Sequence, residues 1–199
     1  MLEDMLHAAG SDAVLEGLHF DGETLEYAGA HGVELRSCRF DGCVFSGVDF
    51  TWAGFSRCEL YSCRFEGCRL GDGSWLSCRL ERCSFRSCDW RGAHLRGCTA
   101  VSCDFGYANF VCAVMDGCSF SGCAFVGASL AGMRLPRCRF SGCDLSGADF
   151  FRTPLRGIDL SGCRIDGIGV SDGGAELKGA RIAAEQAVEL ARILGVKIV

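Results

Sequence analysis

Residues 138–150 read CRFSGCDLSGADF, and this five-residue rhythm decides the fold. A small residue, an apolar residue two positions later and a glycine two beyond that recur along the stretch. In the same frame every fifth residue from Phe20 to Val170 is apolar, without one insertion. Of the 14 Phe all but Phe151 occupy the apolar position, and of the 16 Cys all but Cys112 lie two residues before it. The chain is therefore a repeat over most of its length.

A five-residue period fits neither an α-helix, whose apolar face recurs every 3.6 residues, nor a strand, whose faces alternate at every second residue. Short fixed repeats are typical of solenoids, in which each unit buries its apolar face by stacking on its neighbours. If each pentad forms one side of a coil, the apolar residue and the small residue before it point inward. Glycine then turns the corner, because it tolerates backbone dihedrals that are closed to other residues.

The residue types indicate four pentads per coil. At a spacing of 20 residues, two inward rows contain only cysteine along most of the chain. These rows are residues 38, 58, 78, 98, 118 and 138, and residues 43, 63, 83, 103, 123, 143 and 163. About eight coils at about 4.8 Å each would make a rod about 40 Å long.

This pattern resembles the pentapeptide-repeat proteins over residues 18–182. The resemblance implies an all-β fold, a right-handed quadrilateral β-helix of about eight coils with a short C-terminal α-helix. We expect residues 1–17 to form an N-terminal cap segment on the first coil, since an open solenoid end exposes backbone and core.

The C-terminal residues 183–199 follow a different pattern from the repeat. At residues 171–174 the frame slips by two residues and then resumes with Leu177 and Ile182. Helical apolar spacing predicts a helix over residues 184–194, with Gly195 as its stop. Residues 196–199 are predicted to form a terminal strand.

The inward cysteines are predicted to be free thiols that fill the core as small hydrophobic groups. Disulfides between stacked thiols, or a zinc or redox role for the cysteine rows, are the alternatives. The spacing runs along the core and does not converge on a metal, so we expect no metal and no cofactor. The acidic start does not resemble a signal peptide, and no apolar run is long enough to span a membrane. We expect a cytoplasmic protein without membrane contact.

Charge is unevenly distributed, although the formal net charge is only −5. Residues 1–35 contain acids and no Lys or Arg, whereas residues 79–96 are rich in arginine. Outward residues of opposite charge alternate at the coil spacing, as in Arg39, Glu59 and Arg79, which favours correct register over a slipped one. Outward apolar residues are densest over residues 101–114, which is a possible contact patch.

The tail GARIAAEQAVELARILGVKIV, residues 179–199, resembles the end of the quinolone-resistance (Qnr-type) pentapeptide-repeat proteins. The positions that match are Gln186, Ala187, Leu190, Leu194, Gly195, Val196 and Ile198. The resemblance implies a homodimer joined through this tail. The residues expected at the dimer interface are Val188, Leu190, Ala191, Ile193, Leu194, Val196 and Ile198.

The same resemblance implies binding to type II topoisomerases, above all DNA gyrase. It implies protection of that enzyme from quinolone-type or natural-product inhibitors by a rod that mimics duplex DNA. The unbroken frame is similar to that of the loop-free, mycobacterial-type relatives. A DNA mimic must present acids to surfaces that evolved to bind phosphate. We therefore expect the residues that contact gyrase to be acids that lie away from arginine. These are Asp144, Asp149, Asp159 and Asp166, and no direct nucleic-acid binding is expected.

No catalytic motif is present in the sequence. The four histidines share no spacing, and there is no phosphate loop, nucleophile elbow or pair of carboxylates in a pocket. A thin solenoid with a filled interior leaves no pocket of substrate size, so we expect a protein that is not an enzyme. Two interpretations remain: a gyrase-binding protector, and a generic scaffold or protein-interaction rod unrelated to gyrase, which the arginine-rich middle favours.

Overall fold

The structure is a computed structural model that describes residues 14–197. Each strand pairs in parallel with the strand one coil away, and the paired residues are 20 apart, as in Leu15 with Leu35 and Phe45 with Phe65. The predicted coil of four pentads is confirmed. In chain order the strands are β1 Val14–Glu16, β2 His19–Asp21, β3 Thr24–Glu26, β4 Glu34–Arg36, β5 Arg39–Asp41, β6 Val44–Ser46, β7 Gly54–Ser56, β8 Glu59–Tyr61, β9 Arg64–Glu66, β10 Ser74–Leu76, β11 Arg79–Glu81, β12 His94–Arg96, β13 Thr99–Val101, β14 Val114–Asp116, β15 Ser119–Ser121 and β16 Arg139–Ser141.

The solenoid has four faces. Face 1 is the sheet β1-β4-β7-β10-β12-β14, and face 2 is the sheet β2-β5-β8-β11-β13-β15-β16. Face 3 is the sheet β3-β6-β9, which isolated bridges continue from Arg64 to Arg164. Face 4 consists of isolated bridges alone, from Gly29 to Gly169. The regular strands make about six turns, fewer than the eight coils predicted, because the last part of the rod is held by isolated bridges.

The interior is a continuous stack of apolar side chains. The central residue of each three-residue strand is buried, whereas the residues beside it mostly face outward. Along face 3, the ring centroids of Phe45 and Phe65 are 4.5 Å apart, as are those of Phe65 and Phe85. The rings therefore stack at about the spacing of the strands themselves. Apolar side chains therefore fill the core along the rod.

Almost every corner of the repeat contains a residue with left-handed backbone dihedrals. Glycine occupies many of these positions, such as Gly142 with φ of +60°. Other residues take the same conformation, among them Trp52 and Cys112, each with φ of +61°. An outward side chain is therefore accepted at the corner, at a cost in backbone energy of about 1–2 kcal/mol that glycine does not incur.

The start of the repeat differs in detail from the sequence prediction. Residues 14–16 form β1 on face 1, so the repeat begins at least four residues before the predicted boundary at residue 18. The rest of the predicted cap, residues 1–13, lies outside the described residues. Near the other end, Asp159 pairs with Arg181, 22 residues away, which confirms the two-residue slip of the frame.

The inserted residues are held by a buried carboxylate. A 3₁₀ turn, Ala175–Leu177, contains Glu176, which is 5% exposed. Its carboxylate accepts hydrogen bonds from the Arg152 N–H at 2.8 Å, the Ser171 N–H at 3.1 Å and the Ser171 hydroxyl at 2.8 Å. The slip is therefore stabilised by a side chain that replaces missing backbone partners.

The C-terminal segment lies across the end of the last coil. A 3₁₀ turn, Ala184–Gln186, leads into the helix α1, Ala187–Ile193, and Gly195 follows with φ of +79°. The predicted helix and its stop are confirmed. Val196 and Lys197 are not in a strand, and the remainder of the predicted terminal strand lies outside the described residues. None of the helices in the described part of the chain has the length and apolarity needed to cross a bilayer.

The backbone ladder is interrupted at one step of the solenoid. Faces 3 and 4 continue without a break, with the Arg164 N–H donating to Cys143 O and the Gly169 N–H to Ala148 O. On faces 1 and 2, no bridge joins residues 134–142 to residues 154–162 within the described chain. We call this opening the seam. It contains a cleft of about 730 Å³.

Bulky inward residues and a proline explain the seam. Met133 lies in a row whose earlier members are Val33, Ala53, Gly73, Ala93 and Ala113, and Ile158 follows a row of six cysteines. Both are buried, and larger groups in a close-packed core force the surrounding backbone apart. Pro154 has no N–H to donate to the preceding coil. Next to it, the hydroxyl of Thr153 accepts the Met133 N–H at 2.8 Å and donates to Leu130 O.

Candidate interaction surface

The buried cysteines pack against the backbone of the preceding coil. Most thiols in the rows lie within hydrogen-bonding distance of a carbonyl, as with Cys58 Sγ and Leu35 O at 3.2 Å. The neighbouring Cys118 thiol and burial raise the pKa of Cys98 to about 12. All 16 cysteines are free, and only Cys112 is exposed. The thiols of one row shift one another in opposite directions, since hydrogen bonds with Cys138 and Cys98 lower the pKa of Cys118 to about 4. No group of three or more His, Cys, Asp or Glu side chains that could hold a metal ion occurs within residues 14–197.

The four acidic residues predicted to contact a partner lie on three faces of the rod. Asp144 and Asp166 lie on face 3, Asp149 lies on face 4 and Asp159 lies on face 2. A single flat contact therefore cannot include all of them. The sequence identified the residues as outward but had no information on which faces they share.

Three of these acids form ion pairs with arginine. Arg164 lies between Asp144 and Asp166, 3.3 Å from a carboxylate oxygen of each. Asp159 is 3.4 Å from Arg181, and the hydrogen bonds from Ser161 lower the pKa of Asp159.

Asp149 differs from these three acids. Its carboxylate accepts the Phe151 N–H at 2.9 Å, and within residues 14–197 no arginine lies within salt-bridge distance of it. The expectation of an unpaired acidic surface therefore applies to Asp149 alone.

The arginine-rich middle is also largely paired. Arg79 and Arg82 both contact Glu81, at 3.1 Å and 3.4 Å. Arg91 contacts Asp89 at 2.6 Å. Such exposed pairs contribute little to stability, but they cancel much of the local positive charge.

The apolar run over residues 101–114 encircles the rod. Val101 lies on face 2, Val111 on face 4 and Val114 on face 1, and Tyr107 is at a corner. Val101 and Tyr107 are 38% and 56% exposed. These side chains point in different directions, so the run does not form the single contact patch considered from the sequence.

The C-terminal helix is anchored by polar side chains. The Gln186 amide donates to Leu160 O at 2.9 Å and to Cys163 O at 2.6 Å, and the Gly167 N–H donates to Glu189 at 2.9 Å. These bonds satisfy backbone groups that the end of the solenoid would otherwise leave unpaired.

The residues predicted for a dimer interface separate into two sets. Leu190 and Ile193 pack against the core of their own chain. Val188, Leu194 and Val196 remain 45%, 46% and 55% exposed. Ala191 is partly buried, and Ile198 lies outside the described residues.

Comparison with protein-family models shows the same repeat. The model of the pentapeptide repeat region matches residues 33–110, and that of pentapeptide repeats (8 copies) matches residues 113–152 and 123–162. Together these matches cover more than half of the chain. The chain belongs to the pentapeptide-repeat proteins. The predicted family is confirmed.

This pentapeptide-repeat protein is similar to several solved structures. A trypsin-treated variant of QnrB1, a plasmid-mediated fluoroquinolone resistance protein, is 25% identical with a TM-score of 0.52; the match covers 94% of this chain and 98% of that one. Full-length QnrB1 is 21% identical with a TM-score of 0.38, over 92% and 100% of the two chains. HetL, involved in heterocyst differentiation regulation in the cyanobacterium Nostoc sp., is 19% identical with a TM-score of 0.33, over 88% and 93%. No curated protein matches the sequence.

Proposed function

We propose that this protein binds DNA gyrase or a related type II topoisomerase and protects it from quinolone-type or natural-product inhibitors, without enzymatic activity of its own. The observation that carries the proposal is the similarity to QnrB1, which extends over nearly the whole of both chains at 25% identity. The rod with its apolar, filled interior supports it further, because such a rod offers a long convex surface for a protein partner. The protein would then act in the cytoplasm, where its target is.

Homodimerisation through the C-terminus is part of the proposal. Val188, Leu194 and Val196 are exposed at the end of the rod, where a second copy would cover them. A two-fold contact between identical ends buries the same residues on both chains. Light scattering of the protein with Val188→Glu and Val196→Glu is expected to give the mass of a monomer. Glu185→Lys, an exposed polar change in the preceding turn, is the control and should leave the dimer intact.

Mimicry of duplex DNA is the proposed mode of binding. The contact would be made by the C-terminal coils, with Asp149 as the central acid and with Asp144, Asp159 and Asp166 around it. Because Arg164 and Arg181 neutralise the last three, charge contributes less than shape. Binding to gyrase should therefore weaken only modestly as salt is raised.

The test is a gyrase supercoiling assay with a fluoroquinolone and increasing amounts of protein. Protection predicts that supercoiling returns as protein is added. Reversal of Asp144, Asp149 and Asp159 to Lys should weaken protection, whereas reversal of Arg79, Arg82 and Arg91 to Glu should leave it or strengthen it. A gel-shift assay with duplex DNA should show no binding by the protein alone.

A scaffold or protein-interaction rod unrelated to gyrase is the second candidate. The pairing of most surface acids with arginine favours it, because a DNA mimic depends on unpaired acids. Absence of any effect on supercoiling, with or without the drug, together with no gyrase binding, would select this candidate.

A further inference from the structure

The seam leaves unpaired the backbone groups that form hydrogen bonds between coils at the preceding step of face 2. In the preceding step, Arg139 N–H donates to Cys118 O at 3.0 Å and Gly122 N–H donates to Ser141 O at 2.8 Å. Across the seam, the N–H groups of Phe140 and Gly142 and the carbonyl of Cys138 have no backbone partner among the described residues. Strand β16 therefore has one free edge, with donors and an acceptor in the alternation that a further strand would match.

The free edge opens into the cleft rather than onto a flat surface. Residues on both sides of the seam line the cleft. Phe140 and Cys138 are more exposed there, at 8% and 6%, than Phe120 and Cys118 in the preceding coil, at 3% and 0%. An unpaired strand edge next to apolar groups is the arrangement to which extended peptides bind by strand addition, with backbone bonds supplying affinity.

The charge around the seam is positive. Arg137, Arg139 and Arg181 line the cleft, with Asp159 as the acid among them. Arg137 is paired with Asp116 at 2.6 Å on the side away from the seam, and Asp159 is paired with Arg181. Within residues 14–197 no carboxylate lies within salt-bridge distance of Arg139, which projects from β16 itself. A ligand with carboxylates would supply the missing partner.

We infer that the seam is a docking site for an extended acidic peptide segment of a partner protein, which adds as a strand to the free edge of β16. Alternate residues of such a segment face outward, where acidic side chains meet Arg139 and Arg137, and the residues between them face the apolar floor at Phe140. The inference does not rest on the proposed action on gyrase, since strand addition needs no topoisomerase. Of the four acids proposed to contact gyrase, Asp159 alone also lines the seam.

The test uses the full-length protein and an acetylated, amidated hexapeptide of alternating Glu and Val, followed by calorimetry and by amide exchange. Saturable binding is expected, with slower exchange of the Phe140 and Gly142 amides in the complex. A Lys–Val hexapeptide and a Glu–Pro hexapeptide are the control ligands; the first has the wrong charge and the second has no N–H at alternate residues. Equal binding of either control ligand, or no saturation at millimolar peptide, would overturn the inference.

Matched variants locate the site. Arg139→Glu should weaken peptide binding roughly tenfold. Arg79→Glu, in the same outward row but in a closed part of face 2, should leave it unchanged. Equal effects of the two substitutions would contradict a site at the seam. A change in molecular mass caused by Arg139→Glu would show that a second copy occupies the edge, which would also overturn the inference.

Closing the seam provides a test that does not depend on charge. Met133→Ala, Pro154→Ser and Ile158→Cys together restore the small inward rows and the missing donor. This variant should lose peptide binding while keeping Arg139. If the triple variant fails to fold, the Arg139→Glu and Arg79→Glu pair decides the question on its own.

Discussion

Two successive steps of the solenoid differ in how they are joined. From residues 114–133 to residues 134–153, bridges join the coils on all four faces. From residues 134–153 to residues 154–173, bridges join the coils on faces 3 and 4 and are absent on faces 1 and 2. The repeat frame is the same at both steps. The pentad frame therefore determines the path of the chain, whereas the volume of the inward residues determines how closely one coil approaches the next.

Amide exchange is expected to show the largest difference between the two steps. The amides of Phe120 and Gly122 are paired, so their exchange requires opening of the ladder, whereas those of Phe140 and Gly142 are free. The free amides should exchange on the order of a thousandfold faster, since each 1.4 kcal/mol of opening free energy is tenfold in rate. Hydrogen–deuterium exchange with residue resolution measures this. Equal protection at the two steps would show that the seam is closed in solution.

Replacement of a stacked phenylalanine by alanine should lower the free energy of unfolding by different amounts at the two steps. Phe105 is packed between Phe85 and Phe125, with ring centroids at 5.4 Å and 4.9 Å. Phe105→Ala should lower the free energy of unfolding by about 3–5 kcal/mol. Phe140→Ala should cost less, because the seam already leaves one side of that ring partly open. Denaturant unfolding measures both, and a larger loss at residue 140 would contradict the expected order.

The buried carboxylate beyond the seam makes the C-terminal end sensitive to acid. Burial alone would raise the pKa of Glu176, but the hydrogen bonds from its own N–H, Ser171 and Arg152 outweigh it, and the pKa is lowered. A group with a lowered pKa stabilises the fold above its unfolded value of 4.5, and this contribution is lost as the pH falls toward the folded value.

Glu176→Gln should therefore cost about 1–3 kcal/mol at pH 7. It should cost less at pH 3, because the contribution of a carboxylate with a lowered pKa declines as the pH falls below its unfolded value of 4.5. Thermal unfolding at both pH values measures this. The control is Glu185→Gln, an exposed change that should have no effect at either pH.

The smallest change in the free energy of unfolding is expected from substitution of Trp90. Its indole Nε1 is buried and, among the buried side-chain nitrogens and oxygens of residues 14–197, is alone in having no hydrogen-bond partner. Trp90→Phe removes that unsatisfied donor and also some packing volume, and the two effects oppose one another. The free energy of unfolding should change by less than about 1 kcal/mol. A loss comparable to that of Phe105→Ala would show that the N–H interacts favourably with a neighbouring ring.

The sequence by itself determined the path of the backbone. Apolar residues at every fifth position predict a coil, the all-cysteine rows favour turns of 20 residues, and the strand register agrees at each named pair. The helix at the C-terminus and its stop at Gly195 followed from local spacing and backbone freedom. These features depend on short-range patterns, which a sequence displays directly.

Only the tertiary structure decided which outward residues become neighbours and where the ladder opens. Asp144 acquires Arg164 as a partner from the next coil, and the predicted acids separate onto three faces. Met133, Pro154 and Ile158 keep the pentad frame, so no break in periodicity marks the seam. The opening arises because their volumes and the missing N–H act together across stacked coils, which is a property of packing and not of spacing.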